Sequence, residues 1–214
     1  MQSNRTASVA LRRDGRGDAG TADTPRGTDY YINHFMTNKS KTATFAGGCF
    51  WCTEAIFKRL KGVTSVMPGY TGGEAKNPTY EQVCAGTTGH AEAIQIEFDP
   101  GVIPYERLLD VFFATHDPTT LNRQGNDVSE QYRSAIFYHN DAQRVTSEQT
   151  IKRLEQEKVF TRSIVTQLVP FKNFYPAEDY HRDYYTRNKY KPYCLLTISP
   201  KIAKLRKKFK SYLQ

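Results

Sequence analysis

Residues 42–60 read TATFAGGCFWCTEAIFKRL. The first four, Thr42 to Phe45, predict a short buried strand that runs into Gly47-Gly48, and residues 54–60 are typical of a helix. Cys49 therefore falls where a strand turns into a helix. Because the free N–H groups and the dipole at a helix N-terminus stabilise an anion, we expect a thiolate at Cys49.

Cys49 and Cys52 form a C-x-x-C pair about one helical turn apart. The thiolate is the nucleophilic form of cysteine, and this spacing allows the two sulfurs to form a disulfide. The pair therefore predicts redox chemistry with Cys49 as the reactive thiol. Half of a zinc site is the alternative, but no second C-x-x-C and no suitably spaced Cys/His pair follows. We expect no metal.

The other two cysteines are single. Cys84 stands beside Val83 on the apolar side of a short predicted helix, which predicts a buried and inert thiol. Cys194 follows Tyr193 in an aromatic-rich stretch ahead of the final helix. It is a candidate for a second or alternative resolving thiol.

Helices and strands are mixed along the rest of the chain without a long regular alternation. The patterns predict strands at 63–70, 91–98 and 134–139, and helices at 78–83, 105–115 and 142–158. This mixture predicts an α+β fold, with helices layered on a largely antiparallel sheet.

One predicted strand carries an acid on an apolar face. Ala91 to Phe98 alternates with period two, which predicts a half-buried strand and puts Glu92 on the same side as Ile94 and Ile96. An exposed strand residue is the ordinary alternative. A carboxyl group on an apolar face favours a functional role.

Composition predicts one domain with a polar extension. The chain has 214 residues of which 38% are hydrophobic, enough for one sizeable core. Residues 1–38 are rich in Arg, Asp, Gly and Thr, which predicts a disordered tail or an expression remnant. Residues 39–214 are predicted to form a single catalytic domain. Four cysteines are too few for a disulfide scaffold, and no secretory signal or run of eighteen apolar residues is present. We expect a reducing, cytoplasmic location.

The net charge of +8 is concentrated at one end. Residues 201–214 carry six basic and no acidic side chains, while Ile202, Leu205 and Phe209 recur at helical spacing. This pattern is typical of a docked amphipathic helix with a solvated basic face. We expect no nucleic-acid or membrane partner, although a binding role for this helix remains an alternative.

Eight short motifs occur in order between residues 41 and 200. They are Gly48-Cys-Phe-Trp51, Gly69-Tyr-Thr-Gly-Gly73, Asn77-Pro-Thr-Tyr80, Thr88-Gly-His-Ala-Glu92, His116-Asp-Pro118, Gln124-Gly-Asn-Asp127, Gln131-Tyr-Arg-Ser134 and Ala177-Glu-Asp-Tyr-His181. Each is weak alone, but their joint occurrence is very specific. In these motifs the chain closely resembles the A-type peptide methionine sulfoxide reductases.

The resemblance implies a fold, an activity and a set of site residues. The fold would be a two-layer α+β sandwich with a ferredoxin-like core, in an enzyme expected to act as a monomer. It would reduce the S epimer of methionine sulfoxide, free or in proteins, with no bound cofactor and with thioredoxin or another dithiol as reductant. The matched residues are Cys49 as nucleophile, Phe50 and Trp51 as the pocket for the substrate methyl group, Glu92 as the acid, and Tyr80, Asp127 and Tyr132 around the sulfoxide oxygen.

The chemistry of a sulfoxide supports several of these roles. Its sulfur is a poor electrophile until the oxygen is protonated, so the thiolate needs a proton donor nearby. Glu92 serves if desolvation keeps it protonated, and phenols can hydrogen-bond the developing oxyanion. Core packing of Phe50 and Trp51, and a turn role for Asp127, remain the ordinary alternatives.

The chain departs from the commonest form of this family at the resolving thiol. Cys52 stands where that form has glycine, and no cysteine follows Cys194, where that form has a glycine-rich tail. We therefore expect Cys52 to resolve a sulfenic acid on Cys49, with Cys194 as the second candidate. A general thiol–disulfide oxidoreductase built on Cys49 and Cys52 is the alternative enzyme.

Overall fold

Residues 41–214 are the part of the chain that the computed structural model describes, so the predictions for residues 1–38 lie outside it. The strands are β1 (Lys41–Gly47), β2 (Val63–Thr71), β3 (Ala91–Phe98), β4 (Arg123–Gln124), β5 (Asp127–Val128), β6 (Ser134–Tyr138), β7 (Gln167–Pro170) and β8 (Phe174–Pro176). The α-helices are α1 (Phe50–Phe57), α2 (Tyr80–Cys84), α3 (Tyr105–Thr115), α4 (Asp141–Gln156), α5 (Tyr184–Arg187) and α6 (Ser199–Lys208). A π-helical turn, Cys194–Ile198, and short 3₁₀ turns at Glu130–Tyr132, Asp179–His181 and Lys210–Tyr212 complete the path.

The main sheet has six strands in the order β7-β6-β1-β3-β2-β8, and β4 and β5 form a separate hairpin. The neighbours pair antiparallel except β6 and β7, which run parallel. A parallel pair needs a crossover connection, which the 16-residue helix α4 supplies. The predicted α+β class is confirmed, with a mixed sheet.

Strand β3 lies between β1 and β2 and is buried on both faces apart from Gln95 and Glu97. The prediction of a half-buried strand therefore holds for the C-terminal half of β3 and is wrong for its N-terminal half, where both faces are buried. The alternation conceals this because the second face is built from small side chains such as Ala91 and Ala93, which pack with Phe137 in a separate apolar cluster. Alanine reads as neutral in a period-two pattern but is as readily buried as larger apolar residues.

The opposite face of the sheet carries the main core. Phe45 on β1 stacks on Phe112 of α3, with ring centroids 5.0 Å apart. This contact packs α3 against β1. The helix also lies close to the end of β1, since a Cβ at Gly47 would be 2.9 Å from the Phe112 ring. The glycine thus allows the helix and the end of the strand to approach closely.

Two helix boundaries differ from the predictions by four residues or more. Helix α1 begins at Phe50, before the predicted start at residue 54, and the C-terminal basic helix α6 ends at Lys208 instead of continuing to 214. Phe209 leaves helical geometry with φ −128° and is buried in the core, which turns the chain there. Leu213 then forms a β-bridge with Leu60.

Candidate active site

A tight turn joins β1 to α1 and positions the first cysteine. Gly48 has φ +85°, and a Cβ there would lie 2.5 Å from the Gln124 side chain, so only glycine suits this position. Cys49 is the N-cap of α1, and its carbonyl accepts the N–H of Cys52 at 3.0 Å. The C-x-x-C pair therefore lies on the first turn of a helix, as predicted.

Three of the four thiols share one apolar cluster. Cys49 is 6% exposed, Cys52 1% and Cys194 0%, and they pack with Ala55, Ile198 and Ile202. The π-helical turn that carries Cys194 lies against α1, so the C-terminal segment closes over the thiol pair. The structure thus brings together the predicted nucleophile and both candidate resolving thiols.

The two thiols of the pair differ in acidity. Burial raises the pKa of Cys49 well above its usual value, and its hydrogen bond to Cys52 and the charge of Glu92 act in the same direction. The pKa of Cys52 falls to about 7, chiefly because the Cys49 thiol hydrogen-bonds to it. Burial therefore opposes the predicted thiolate at Cys49, while the hydrogen bond between the two thiols favours ionisation of the pair.

Glu92 lies beside this turn with both oxygens engaged. Oε2 accepts the backbone N–H of Phe50 at 3.0 Å, and Oε1 accepts the side-chain amide of Gln131 at 3.1 Å. The residue is only 2% exposed, and burial raises its pKa to about 7. Glu92 is therefore protonated in slightly acidic solution, as the apolar face of its strand indicated.

The polar residues predicted around the substrate oxygen surround Glu92. Tyr80 and Tyr132 are half-buried, and burial is the main cause that raises both pKa values. The hydrogen bond with the Cys84 thiol raises the pKa of Tyr80 further, and the Glu92 charge raises that of Tyr132. Both phenols therefore remain hydrogen-bond donors throughout the physiological pH range. Asp127, on the β4–β5 hairpin, is half-buried, and its Oδ2 accepts the Tyr193 hydroxyl at 2.9 Å.

Tyr193 is a site residue that the sequence reasoning did not assign. Its hydroxyl lies 3.8 Å from the Cys52 sulfur while it donates to Asp127. Burial is the main cause that raises the pKa of the Tyr193 hydroxyl, and the charges of Cys49 and Cys52 raise it further. The available signal was its position directly before Cys194 in an aromatic-rich stretch, but nothing in the sequence placed that stretch beside α1.

Phe50 and Trp51 have different environments. The Phe50 ring is buried in the core near Tyr70, with ring centroids 5.9 Å apart, which agrees with the core-packing alternative. Trp51 is half-buried and stacks on Tyr184 at 3.6 Å, with 5° between the ring planes. Its indole N–H donates to Nδ1 of His181 at 3.0 Å, which holds the Trp51 ring in place.

Cys84 is exposed, so the prediction of a buried thiol is wrong. The five-residue helix α2 buries Val83 alone, which leaves the next side chain at the surface. The Cys84 sulfur accepts the Gln131 amide at 3.5 Å, so this thiol lies at the edge of the site formed by Glu92 and Tyr80.

Two further features concern only residues 41–214. Within this range, no three His, Cys, Asp or Glu side chains are grouped so that they could hold a metal ion. The same residues contain no helix with the length and apolar character needed to span a membrane.

A buried thiol pair beside a protonated carboxyl group is the site of a thiol-dependent oxidoreductase. Residues 41–213 match the family model for peptide methionine sulfoxide reductase. The peptide methionine sulfoxide reductase MsrA of Saccharolobus solfataricus is 59% identical over 169 residues, which are 79% of this chain and 94% of the relative.

Solved structures agree with the sequence relatives. The reduced form of Mxr1 from Saccharomyces cerevisiae matches with a TM-score of 0.67 and 36% identity over 74% of this chain and 91% of that one. Methionine sulfoxide reductase A of Corynebacterium diphtheriae matches with a TM-score of 0.68 and 31% identity, over 72% of this chain and 78% of that one. This chain belongs to the peptide methionine sulfoxide reductase family, A type, and is an oxidoreductase.

Proposed function

We propose that this protein reduces the S epimer of methionine sulfoxide, free or within proteins, through a sulfenic acid on Cys49 and a disulfide with Cys52. The observation that carries the proposal is the bond from the Phe50 N–H, between the two cysteines, to Oε2 of Glu92 at 3.0 Å. It holds a buried acid next to the thiol pair. Nucleophile and proton donor are then available to one sulfoxide group.

In the first step the pair supplies the nucleophile. The Cys52 thiolate, formed with a pKa of about 7, accepts the proton of the Cys49 thiol, and the resulting Cys49 thiolate attacks the substrate sulfur. Glu92 gives its proton to the sulfoxide oxygen as the sulfur–sulfur bond forms. The hydroxyl then passes to Cys49, and the bond to the substrate breaks with its electron pair on methionine. Cys49 is oxidised by two electrons, and the sulfoxide is reduced by two.

In the second step Cys52 resolves the sulfenic acid. The Glu92 carboxylate takes the proton of Cys52, whose thiolate attacks the Cys49 sulfur. Hydroxide leaves, receives that proton from Glu92 and departs as water. The products are a Cys49–Cys52 disulfide, water and methionine, and Glu92 is left ionised. Cys194 is the second candidate for this attack because it lies in the same cluster.

The remaining predicted residues have supporting roles in this proposal. Tyr80 and Tyr132 donate hydrogen bonds to the substrate oxygen, and Asp127 orders the polar side of the pocket through Tyr193. Trp51, held by His181, contacts the substrate methyl group, and Phe50 supports it from the core.

Turnover then needs a reductant. A disulfide is reduced by thiol–disulfide exchange, so thioredoxin or another dithiol is the proposed partner, and no bound cofactor takes part. We propose residues 39–214 as one catalytic domain, acting as a monomer in a reducing compartment such as the cytoplasm. The spatial order β6-β1-β3-β2, with α1 and α3 as connections, supports a two-layer, ferredoxin-like core.

The test is methionine release from each sulfoxide epimer with a dithiol reductant. We expect turnover of the S epimer alone, and loss of roughly a thousandfold or more in single-turnover rate for Cys49→Ser. Cys84→Ser is the matched control, since it removes the thiol outside the shared cluster while the serine hydroxyl still accepts the Gln131 amide. Equal turnover of both epimers, or methionine formation by Cys49→Ser, would exclude the proposal.

A further inference from the structure

Gln131, which the sequence left without a role of its own, bonds to the Glu92 oxygen that does not contact Phe50. The 3₁₀ turn Glu130–Tyr132 follows the β4–β5 hairpin and directs Gln131 inward, where it is 4% exposed. The preceding residue, Glu130, is exposed. The Gln131 amide nitrogen lies 3.1 Å from Oε1 of Glu92.

The two donors at Glu92 approach different oxygens, Phe50 at Oε2 and Gln131 at Oε1. A carboxyl oxygen has two lone pairs, so each oxygen keeps one for the acidic proton. The donors therefore restrict the positions that the proton can occupy. Both also stabilise the carboxylate relative to the acid, and this opposes the effect of burial on the Glu92 pKa.

The orientation of the Gln131 amide is defined by a second acceptor. Its nitrogen also lies 3.5 Å from the Cys84 sulfur, so both amide hydrogens have acceptors. The amide oxygen is thereby turned away from Glu92. A fixed donor in a buried site acts without reorganisation when the charge on Glu92 changes.

We propose that Gln131 is a positioning residue that holds Glu92 and sets how readily it releases its proton to the substrate. This inference rests on the proposed function, in which Glu92 is the proton donor. Without the Gln131 donor, burial dominates, and Glu92 retains its proton to higher pH and transfers it more slowly.

Replacement of Gln131 by methionine tests the proposal, because methionine keeps the volume and removes the amide. The control is Gln143→Met, since Gln143 is 6% exposed and its amide bonds to Thr42 and His139 instead of Glu92. Two readouts are compared: the pH titration of the Glu92 carboxyl by carbon NMR, and the pH dependence of single-turnover sulfoxide reduction.

We expect Gln131→Met to move both titrations upward by about one pH unit and to slow the step severalfold at pH 6. Gln143→Met should move neither midpoint, even where it lowers the melting temperature. Superimposable midpoints for Gln131→Met and the wild type would overturn the inference, as would an equal shift in Gln143→Met.

Glu92→Gln separates this inference from the proposed function. If Glu92→Gln keeps the wild-type rate and pH profile, Glu92 is not the acid, and the proton-donation step of the proposed function fails together with this inference. If Glu92→Gln no longer shows the wild-type pH dependence of the rate, Glu92 remains the acid. If Gln131→Met then keeps the wild-type midpoint of that pH dependence, only the assignment of Gln131 fails.

Discussion

Glu92 binds the N-terminus of the helix that carries the two cysteines: its Oε2 accepts the backbone N–H of Phe50, the first residue of α1. The first N–H groups of a helix lack partners within it, and they stabilise an anion. Here one of these donors is already bonded to Glu92, and Cys49 makes no side-chain cap. The Phe50 N–H is therefore not free to bond to the Cys49 sulfur, and it fixes the acid beside the thiol instead.

The first prediction concerns the pH dependence of the chemical step. Glu92 must hold its proton and Cys52 must have lost its own, and both pKa values are about 7. The single-turnover rate should therefore pass through a maximum near pH 7 and fall on the alkaline side as Glu92 ionises. Glu92→Gln should lower the rate by at least about a hundredfold and remove this fall. Glu97→Gln, on the exposed part of the same strand, should keep the wild-type profile. A wild-type profile in Glu92→Gln would contradict the assignment.

The second prediction concerns stability. The native protein holds the Glu92 proton up to about pH 7, whereas the unfolded chain releases it near 4.5. The native state therefore binds more protons in this window, and its stability falls as pH rises from about 4.5 to 7. Denaturant titrations measure the free energy of unfolding at pH 5 and at pH 8. Between these two values the wild type should lose on the order of 3 kcal/mol more than Glu92→Gln. Parallel pH dependence of the two proteins would show that Glu92 titrates normally.

The third prediction concerns Tyr193. Its hydroxyl lies 3.8 Å from the Cys52 sulfur, and it lowers the pKa of that thiol when its one proton turns from Asp127 to the Cys52 thiolate. Tyr193→Phe should raise the lower thiol pKa by roughly half a unit to one unit, measured by the ultraviolet absorbance of the thiolate. Tyr190→Phe is the control because Tyr190 is 90% exposed. An unchanged titration in Tyr193→Phe would remove its hydroxyl from the thiol site.

The fourth prediction concerns the resolving thiol. One equivalent of substrate should leave a Cys49–Cys52 disulfide, identified by mass spectrometry of the digested protein. Cys52→Ser should still form about one methionine per chain and then turn over slowly, with Cys194 in the same cluster as the remaining thiol. A Cys49–Cys194 link with free Cys52 in the wild type would reverse the order of the two resolving thiols.

Local patterns predicted much of the chain correctly. Strand β3 and helix α3 have the predicted limits, since each has a clear periodicity over eight or more residues. The edge strands β7 and β8 were not predicted, because three or four residues carry too little pattern and pair only when the rest of the sheet exists. The burial of β3 on both faces likewise depends on its central place in the sheet.

The sequence by itself determined the α+β class, the position of Cys49-Phe-Trp-Cys52 at a strand-to-helix turn and, through its ordered motifs, the family. Only the tertiary structure decided the electrostatics of that turn. Cys194 and Tyr193 reach the thiol pair, and Gln131 reaches Glu92, from elements distant in the chain. The acidity of a buried group depends on which donors, charges and apolar atoms surround it in space, and neighbours along the chain do not specify them.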